Sequence, residues 1–380
     1  MFDDCLIMAG GSGTRLWPAS SSKLPKQFLS AGSGSFFSMA LDRAFAVTGE
    51  NGRVIVIAGN AHIQHVIADA ANLNASQKKR LIVIVEPAAK NTAPAIACAV
   101  HYSLLNNPGR KMIVLTSDHI IKPLDVFIND AELAAISAGE ENLVVFGIPP
   151  SRPETGYGYI ETNNKEQIKE PESSALNTRT SGSLKVVCFH EKPDLMAAKK
   201  YAASGKYFWN SGMFAFNTDF ISRQFLEHSK DVYTPFEKLK EPKKEEFTVS
   251  RGIKVLTKWK GLKNAYNKAN SISFDFAIAE KCRNTVMVQT QFDWIDIGNW
   301  DEYASLCGKN DSLVFNFESE NCYVDSDIPV ALAGVDDLIV VIRGGKNGEG
   351  AKALITKKGQ TQKVRGITEQ IKNAGKTELL

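Results

Sequence analysis

Up to about residue 147, short uninterrupted apolar runs alternate with stretches of helical spacing. The runs cover residues 5–9, 54–58, 81–85, 112–115 and 143–146. They lack polar alternation, so each is expected to be a strand buried on both faces. Residues 36–47, a segment through Val66 and Ile67, and residues 94–105 and 127–136 place their apolar side chains one helical turn apart. This alternation predicts an α/β fold, a mostly parallel Rossmann-like sheet with helices on both faces. Ligands of such sheets bind outside the carboxyl ends of strands. The residues that follow each run are therefore the candidates for chemistry.

From Pro149 the pattern changes to strands and turns. Residues 149–160 read as a glycine-punctuated loop entering a strand. Residues 161–183 are polar, an expected flexible excursion. Strands are expected at 186–189 and from 207, and a helix over 271–281 capped by Ser271 or Ser273. The charge run 237–246 reads as a solvated helix or loop. Beyond Leu306, short strands at 321–324, 338–342, 351–355 and 362–364 alternate with glycine turns. This predicts two domains, 1–306 and a small all-β appendage at 307–380. Such an appendage is expected to pair with another chain.

Composition narrows the picture. A chain of 380 residues with 43% hydrophobic and 23% charged residues is globular, and a net charge of +3 does not suggest a nucleic-acid partner. The six cysteines are scattered, with no Cys-x-x-Cys pair, which suggests a reducing compartment. Acidic residues stand at Asp3 and Asp4, where a signal peptide would be basic, and no apolar run approaches a membrane span. The expectation is a cytoplasmic protein.

The first apolar run ends in Ala9, Gly10 and Gly11, with Gly13, Thr14 and Arg15 just beyond. Glycines there let several backbone N–H groups approach one anion. Arg15 adds a forked cation and Lys26 a point charge. The segment reads as a triphosphate cradle, although its glycines alone could form an ordinary turn. It is not a Walker loop, and the dinucleotide fingerprint fails at Leu16. The third run leads into Glu86, Asn91 and Thr92. Asn91 or Thr92 could cap the next helix, while the Glu86 carboxylate suits the paired N–H donors of a guanine edge. The fourth run leads into Asp118, by type a hard-oxygen Mg²⁺ ligand, and His119, a ligand or a hydrogen-bonding structural histidine. His62 and His65 read as a solvated helix face. Gly156 and Tyr157 could mark a hairpin or let a flat sugar approach the backbone. Glu191 and Lys192 would ordinarily point to opposite faces of a strand. Pro193 stops that strand, leaving a carboxylate for sugar hydroxyls and a lysine for a phosphate.

The string from Leu6 to Leu29 resembles the signature of the sugar-1-phosphate nucleotidylyltransferases. Gly13-Thr14-Arg15-Leu16-Trp17-Pro18 and Pro25-Lys26-Gln27-Phe28-Leu29 are most similar to the mannose-1-phosphate guanylyltransferase branch. Further strings resemble the family at Glu86-Pro87, Ser117-Asp118-His119, Glu191-Lys192-Pro193, Trp209-Asn210-Ser211-Gly212 and Asp296-Ile297-Gly298. The resemblance spans roughly residues 6–300. It implies a nucleotidyltransferase, GT-A-like core with a β-helix-like C-terminal domain that helps form a homodimer. It implies transfer of GMP from GTP to mannose 1-phosphate, with Mg²⁺ held between Asp118 and Asp296. Arg15, Lys26, Asp118 and Asp296 would carry catalysis. Ala9, Gly10, Gly11, Gly13, Thr14, Glu86, Asn91 and Thr92 would line the nucleotide, and Gly156, Tyr157, Glu191, Lys192 and Asn210 the sugar phosphate. The sequence departs from the family at Thr116 (proline), Phe274 (isoleucine) and Asn299 (serine). Three alternatives stand beside this reading. One is the same chemistry on another sugar phosphate (fucose, heptose or glucose) or nucleotide. Another is a dinucleotide-dependent dehydrogenase, opposed by Leu16. The third is a non-catalytic subunit, opposed by the presence of all four catalytic candidates.

Overall fold

Strands β1 (Phe2–Met8), β2 (Thr48–Gly59) and β3 (Leu81–Glu86) lie parallel, and alternate side chains enter two separate cores. Cys5, Ile7, Val54, Val56 and Val83 face one core, and Leu6, Ile55, Ile57, Ile82 and Ile84 the other. Burial on both sides is why these runs carry no polar alternation. The computed structural model describes residues 1–11, 13–32, 34–139, 141–167, 183–306, 313–345 and 350–380.

Helices α1 (Phe36–Val47), α2 (Ile63–Asp69) and α5 (Leu124–Ala138) fill the first core through Phe37, Leu41, Val66 and Phe127. α3 (Ala75–Arg80) precedes β3. Helix α4 (Thr92–Asn106) joins the second core through Ile96 and Val100. After α6 (Leu195–Ser204), helices α7 (Thr218–His228), α8 (Lys230–Glu237) and α9 (Leu262–Lys268) join that same second core.

The remaining strands are β4 (Lys111–Thr116), β5 (His119–Lys122), β6 (Leu143–Ile148), β7 (Tyr159–Gln167), β8 (Leu184–His190), β9 (Tyr207–Asn217), β10 (Phe247–Ser250), β11 (Ile253–Leu256), β12 (Thr285–Gln289) and β13 (Asp293–Asp296). The eleven-stranded sheet runs β10-β11-β3-β2-β1-β4-β9-β6-β12-β8-β7. Its β11-β3-β2-β1-β4 half is parallel, but β9 lies antiparallel to both β4 and β6, and β7 and β8 pair antiparallel. The sheet is therefore mixed, which corrects the expectation of a mostly parallel one. β7, β8 and β9 return directly alongside one another, and antiparallel neighbours need no helical crossover. β9 still feeds both cores, with Trp209 and Met213 on one side and Phe214 and Phe216 on the other.

Three further expectations change. Of the helix expected over 271–281, the structure forms one π-helical turn, Asp275–Ala279, with Ser273 Oγ accepting the Phe276 N–H at 3.4 Å. Of the excursion expected over 161–183, residues 161–167 belong to β7, and residues 168–182 lie outside the described residues. The strand expected at 362–364 is instead a 3₁₀ turn, Thr361–Lys363, opening helix α11 (Val364–Asn373). Val364, Ile367, Thr368 and Ile371 recur at helical spacing, so the C-terminal part is not all-β. α10 (Trp300–Leu306) leads into that part, whose strands are β14 (Val314–Phe317), β15 (Tyr323–Ser326), β16 (Val330–Ala333), β17 (Leu338–Arg343) and β18 (Lys352–Lys357). β14 pairs with β16 and β15 with β17 in parallel. Tyr323, Ile339, Val341, Leu354 and Val364 share a core with Leu16, Trp17, Ile297 and Trp300, so the part joins the loop after β1.

Candidate active site

Beyond β1 the chain passes Gly10, Gly11 and Gly13 into a 3₁₀ turn at Thr14–Leu16. Gly13 has φ 56°, and a Cβ there would stand 2.4 Å from Lys26 Cβ. A glycine at this position lets the loop lie directly on the Lys26 backbone. Ala9 fixes the base of the loop, donating its N–H to the Ile57 carbonyl at 2.9 Å and accepting Gln27 Nε2 at 3.2 Å. The Arg15 side chain reaches across to Gly298, with Nη1 3.3 Å from where a Cβ on that glycine would stand.

Lys26 is 6% exposed, and its ammonium donates to Asp118 Oδ2 at 2.9 Å and to Asp296 Oδ1 at 3.0 Å. The strand pairing makes this possible: β13 runs antiparallel to β5, placing Asp296 opposite His119 and so beside Asp118. The sequence reading gave Lys26 to a triphosphate. Here it is bonded instead to the two carboxylates, as a buried ammonium requires a counter-charge. Burial lowers the Lys26 pKa, but Asp118 and Asp296 outweigh it and the value is raised. Burial likewise pushes Asp118 up, yet Lys26, His119 and Arg15 together hold it well below the usual carboxylate range.

His119 sits under this pair. Its Nδ1 accepts the Trp294 indole N–H at 3.1 Å and lies 2.6 Å from Thr116 Oγ1. The indole is donor-only, so the neutral ring carries its proton on Nε2. Nε2 lies 3.9 Å from both Asp118 Oδ1 and Asp296 Oδ1. Burial lowers the His119 pKa despite these two carboxylates, keeping the ring neutral. The arrangement makes it a hydrogen-bonding histidine, and it gives Thr116 a role that proline could not fill.

At the other side of the glycine loop, Glu86 Oε2 stands 4.0 Å from a Cβ position on Gly10. Burial pushes its pKa up to about 7. Asn91 caps α4, accepting the Thr92 N–H at 2.9 Å, and Thr92 Oγ1 accepts the Phe274 N–H at 2.8 Å. These bonds use the Asn91 amide oxygen and a lone pair of the Thr92 hydroxyl, and leave the Asn91 Nδ2 and the Thr92 hydroxyl proton as donors. Phe274 itself is buried against Phe214 and Phe225.

The residues assigned to the sugar phosphate gather along the end of β9. Asn210 Nδ2 donates to Asp275 Oδ1 at 2.7 Å, and its own N–H to the Gly158 carbonyl at 2.8 Å. Glu191 Oε2 lies 2.7 Å from a Cβ position on Gly158, and Lys192 pairs with Glu191. Burial raises the Asp275 pKa, and the Glu191 charge adds to it. Tyr157 packs edge-on against Trp209 and Trp294, which joins this cluster to the Asp118–Asp296 pair. Gly156 is exposed, its N–H bonded to Glu154 Oε1 at 3.0 Å. Gly158 and Asp275 were not among the candidate site residues, although both lie in strings the sequence reading singled out, 149–160 and 271–281. Asp275 directly follows the Phe274 departure, within a string that resembles the family's Ser-Ile-Asp…Glu-Lys, and that string is the signal that could have marked it.

The sequence profile of the nucleotidyl transferase family matches residues 4–310. The chain belongs to that family. This nucleotidyl transferase is 32% identical over 383 residues to a mannose-1-phosphate guanylyltransferase of Escherichia coli, covering 98% of the chain and 74% of the relative. A mannose-1-phosphate guanylyltransferase of Klebsiella pneumoniae is 34% identical over 346 residues, covering 88% and 68%. A Thermus thermophilus crystal structure described as a mannose-1-phosphate geranyltransferase superposes with a TM-score of 0.76 at 24% identity, covering 97% of this chain and 99% of that one. It shares the mixed α/β nucleotidyltransferase fold.

Nucleotidyl transferases generally work with divalent metal ions. The donor set here fits one: two carboxylates already converge on a single cation, the Lys26 ammonium. His119 presents a proton rather than a lone pair to that point in this tautomer. Among the described residues no group of three or more His, Cys, Asp or Glu side chains forms a closed metal cage. The remaining ligands would come from phosphate and water. Among the described residues, no helix is long and apolar enough to cross a membrane.

Proposed function

We propose that this nucleotidyl transferase transfers GMP from GTP to α-D-mannose 1-phosphate, releasing GDP-mannose and pyrophosphate. The observation that carries the reading is the single line of groups across the strand ends. A half-buried carboxylate (Glu86) lies at one end, Arg15 and the Asp118–Asp296 pair stand in the middle, and the Asn210–Asp275–Glu191–Lys192 cluster lies at the other. A carboxylate at a base pocket suits the guanine N1–H and amino group. Relatives named mannose-1-phosphate guanylyltransferase support the choice of sugar and base.

In this reading a sugar-phosphate oxygen attacks the α-phosphorus as the bond to the β-phosphate oxygen breaks, and pyrophosphate leaves in line. The attacking oxygen is already anionic, so no side chain has to remove a proton. Catalysis is positioning and charge neutralisation. The glycine-loop N–H groups and Arg15 hold the triphosphate, Glu86 with Asn91 and Thr92 the base side, and Lys192 and Asn210 the sugar phosphate. Asp118 and Asp296 would hold Mg²⁺, which when bound would offset charge on the reacting phosphates. With the carboxylates so engaged, Lys26 is free to turn to the phosphates.

We assign residues 1–306 to this chemistry and 307–380 to a C-terminal unit with β-helix-like pairing that joins two copies. The parallel pairs β14–β16 and β15–β17 and the exposed Phe315 and Phe317 support that assignment. Pyrophosphate release measured over a grid of nucleoside triphosphates and hexose 1-phosphates tests the function. GTP with mannose 1-phosphate should give the highest kcat/KM, and a higher value for any other pair would overturn the assignment. Light scattering of the purified chain tests the pairing, a monomer mass counting against it.

A further inference from the structure

Residues 361–380 brace the glycine-rich loop from outside the sheet, and we propose that this segment positions Arg15, with Trp17 as the positioning residue through which it acts. The inference rests on Arg15 being a triphosphate contact. Trp17, two residues beyond Arg15, is 8% exposed. Its indole N–H donates to the Leu379 carbonyl at 2.8 Å, and its own carbonyl accepts the Trp300 indole N–H at 2.9 Å. The Ser22 N–H donates to the Leu380 carbonyl at 2.8 Å. At the other end of the segment the buried Thr361 hydroxyl reaches Asp301 Oδ2 at 2.5 Å and Asn299 Oδ1 at 3.2 Å, both at the start of α10. Between these two anchorages α11 places Val364 and Ile371 in the core that holds Leu16 and Trp17.

The loop needs such a brace. Three of its residues are glycines, which lose the most backbone freedom on ordering. Among the described residues, the local bonds beside Arg15 are the long Leu16 N–H to Gly13 carbonyl contact at 3.3 Å, the Ser20 N–H to the Leu16 carbonyl at 2.9 Å and the Ser20 hydroxyl to the Gly13 carbonyl at 2.6 Å, all within residues 13–20. The Trp300 bond also matters for the chemistry. Trp300 follows Asp296 by four residues, so one residue, Trp17, ties the Arg15 loop to the carboxylate strand on one side and to the C-terminal segment on the other. In this reading the backbone that carries Arg15 is held at a fixed offset from Asp118 and Asp296, while its side chain stays exposed.

The test uses the full chain with two substitutions at opposite ends of the brace. Trp17→Phe keeps a ring in the core and removes the indole N–H, and Thr361→Val removes the hydroxyl. Each should lower kcat about three- to tenfold, the worth of one buried hydrogen bond. Each should also speed amide exchange over residues 13–20 and leave KM for the sugar phosphate unchanged. Added to Arg15→Ala, neither should cost further activity, because the brace acts through Arg15. A purely structural role would lower the melting temperature without changing kcat measured well below it. Wild-type kcat with unchanged exchange, or losses that multiply with that of Arg15→Ala, would overturn the proposal. The exchange readout requires no substrate. A chain that transfers no nucleotide refutes the proposed reaction, and the brace is then judged on exchange over residues 13–20 alone.

Discussion

Asparagine at positions 118 and 296, singly and together, should separate activity from stability in a way that follows from Lys26. In the free protein the Lys26 ammonium, 6% exposed, is bonded to both carboxylates at 2.9 and 3.0 Å. Removing one carboxylate charge leaves the other as partner, and the asparagine carbonyl still accepts a hydrogen bond. The single variants should lose about 1 kcal/mol, the difference between a charge-assisted and an ordinary bond. The double variant leaves a buried ammonium without a counter-charge, which costs roughly 3–5 kcal/mol. Stability losses should therefore exceed the sum of the singles. Activity should behave oppositely. Each single variant should cut kcat about a hundredfold or more and raise the Mg²⁺ concentration needed, and the double should be scarcely worse, because both groups act through one ion. The assays are urea unfolding of the metal-free chain and pyrophosphate release over a Mg²⁺ series. Adding Lys26→Met to the double variant should restore stability and not activity. Additive stability losses, or activity losses that multiply, would refute the shared site.

Three further outcomes are expected. Arg15→Ala should lower kcat/KM about a hundredfold with little change in unfolding, since its guanidinium lies at the exposed face of the loop; near wild-type kcat/KM would dismiss its role. Glu86→Gln should narrow the GTP over UTP preference by ~2 kcal/mol in kcat/KM terms, as the carboxylate no longer meets an unmatched uracil edge. The same variant tests the half-buried charge. Burial raises the folded Glu86 pKa from 4.5 to about 7, so its contribution favours folding most below pH 4.5 and fades as pH rises through 7. Glu86→Gln should therefore gain stability over wild type at pH 8, by at most ~3 kcal/mol, and not at pH 4; equal urea midpoints at pH 8 would contradict this. Gly13→Ala, with a Cβ 2.4 Å from Lys26 Cβ at φ 56°, should destabilise the chain and raise KM for GTP, read in the same two assays.

Local pattern determined much of this protein. The apolar runs after Asp4, Arg53 and Arg80 became β1, β2 and β3 because both sheet faces are covered, and helix α1 spans the very residues, 36–47, whose spacing announces it. The positions of Gly13 and Asp118 just beyond strand ends were legible because each follows a short apolar run, β1 and β4. Tertiary structure decided what local pattern does not carry. Whether β9 runs parallel or antiparallel depends on which strands it lies between, since its apolar residues suit either direction. The 362–364 segment reads as a strand over three residues and as a helix once Val364 and Ile371 find the core beside Trp17. For Lys26 the sequence shows the charge and hides the neighbours. Only the β5–β13 pairing brings Asp118 and Asp296, 178 residues apart in the chain, onto that one ammonium. A Coulomb interaction depends on distance in space, and the chain sets that distance only when it folds.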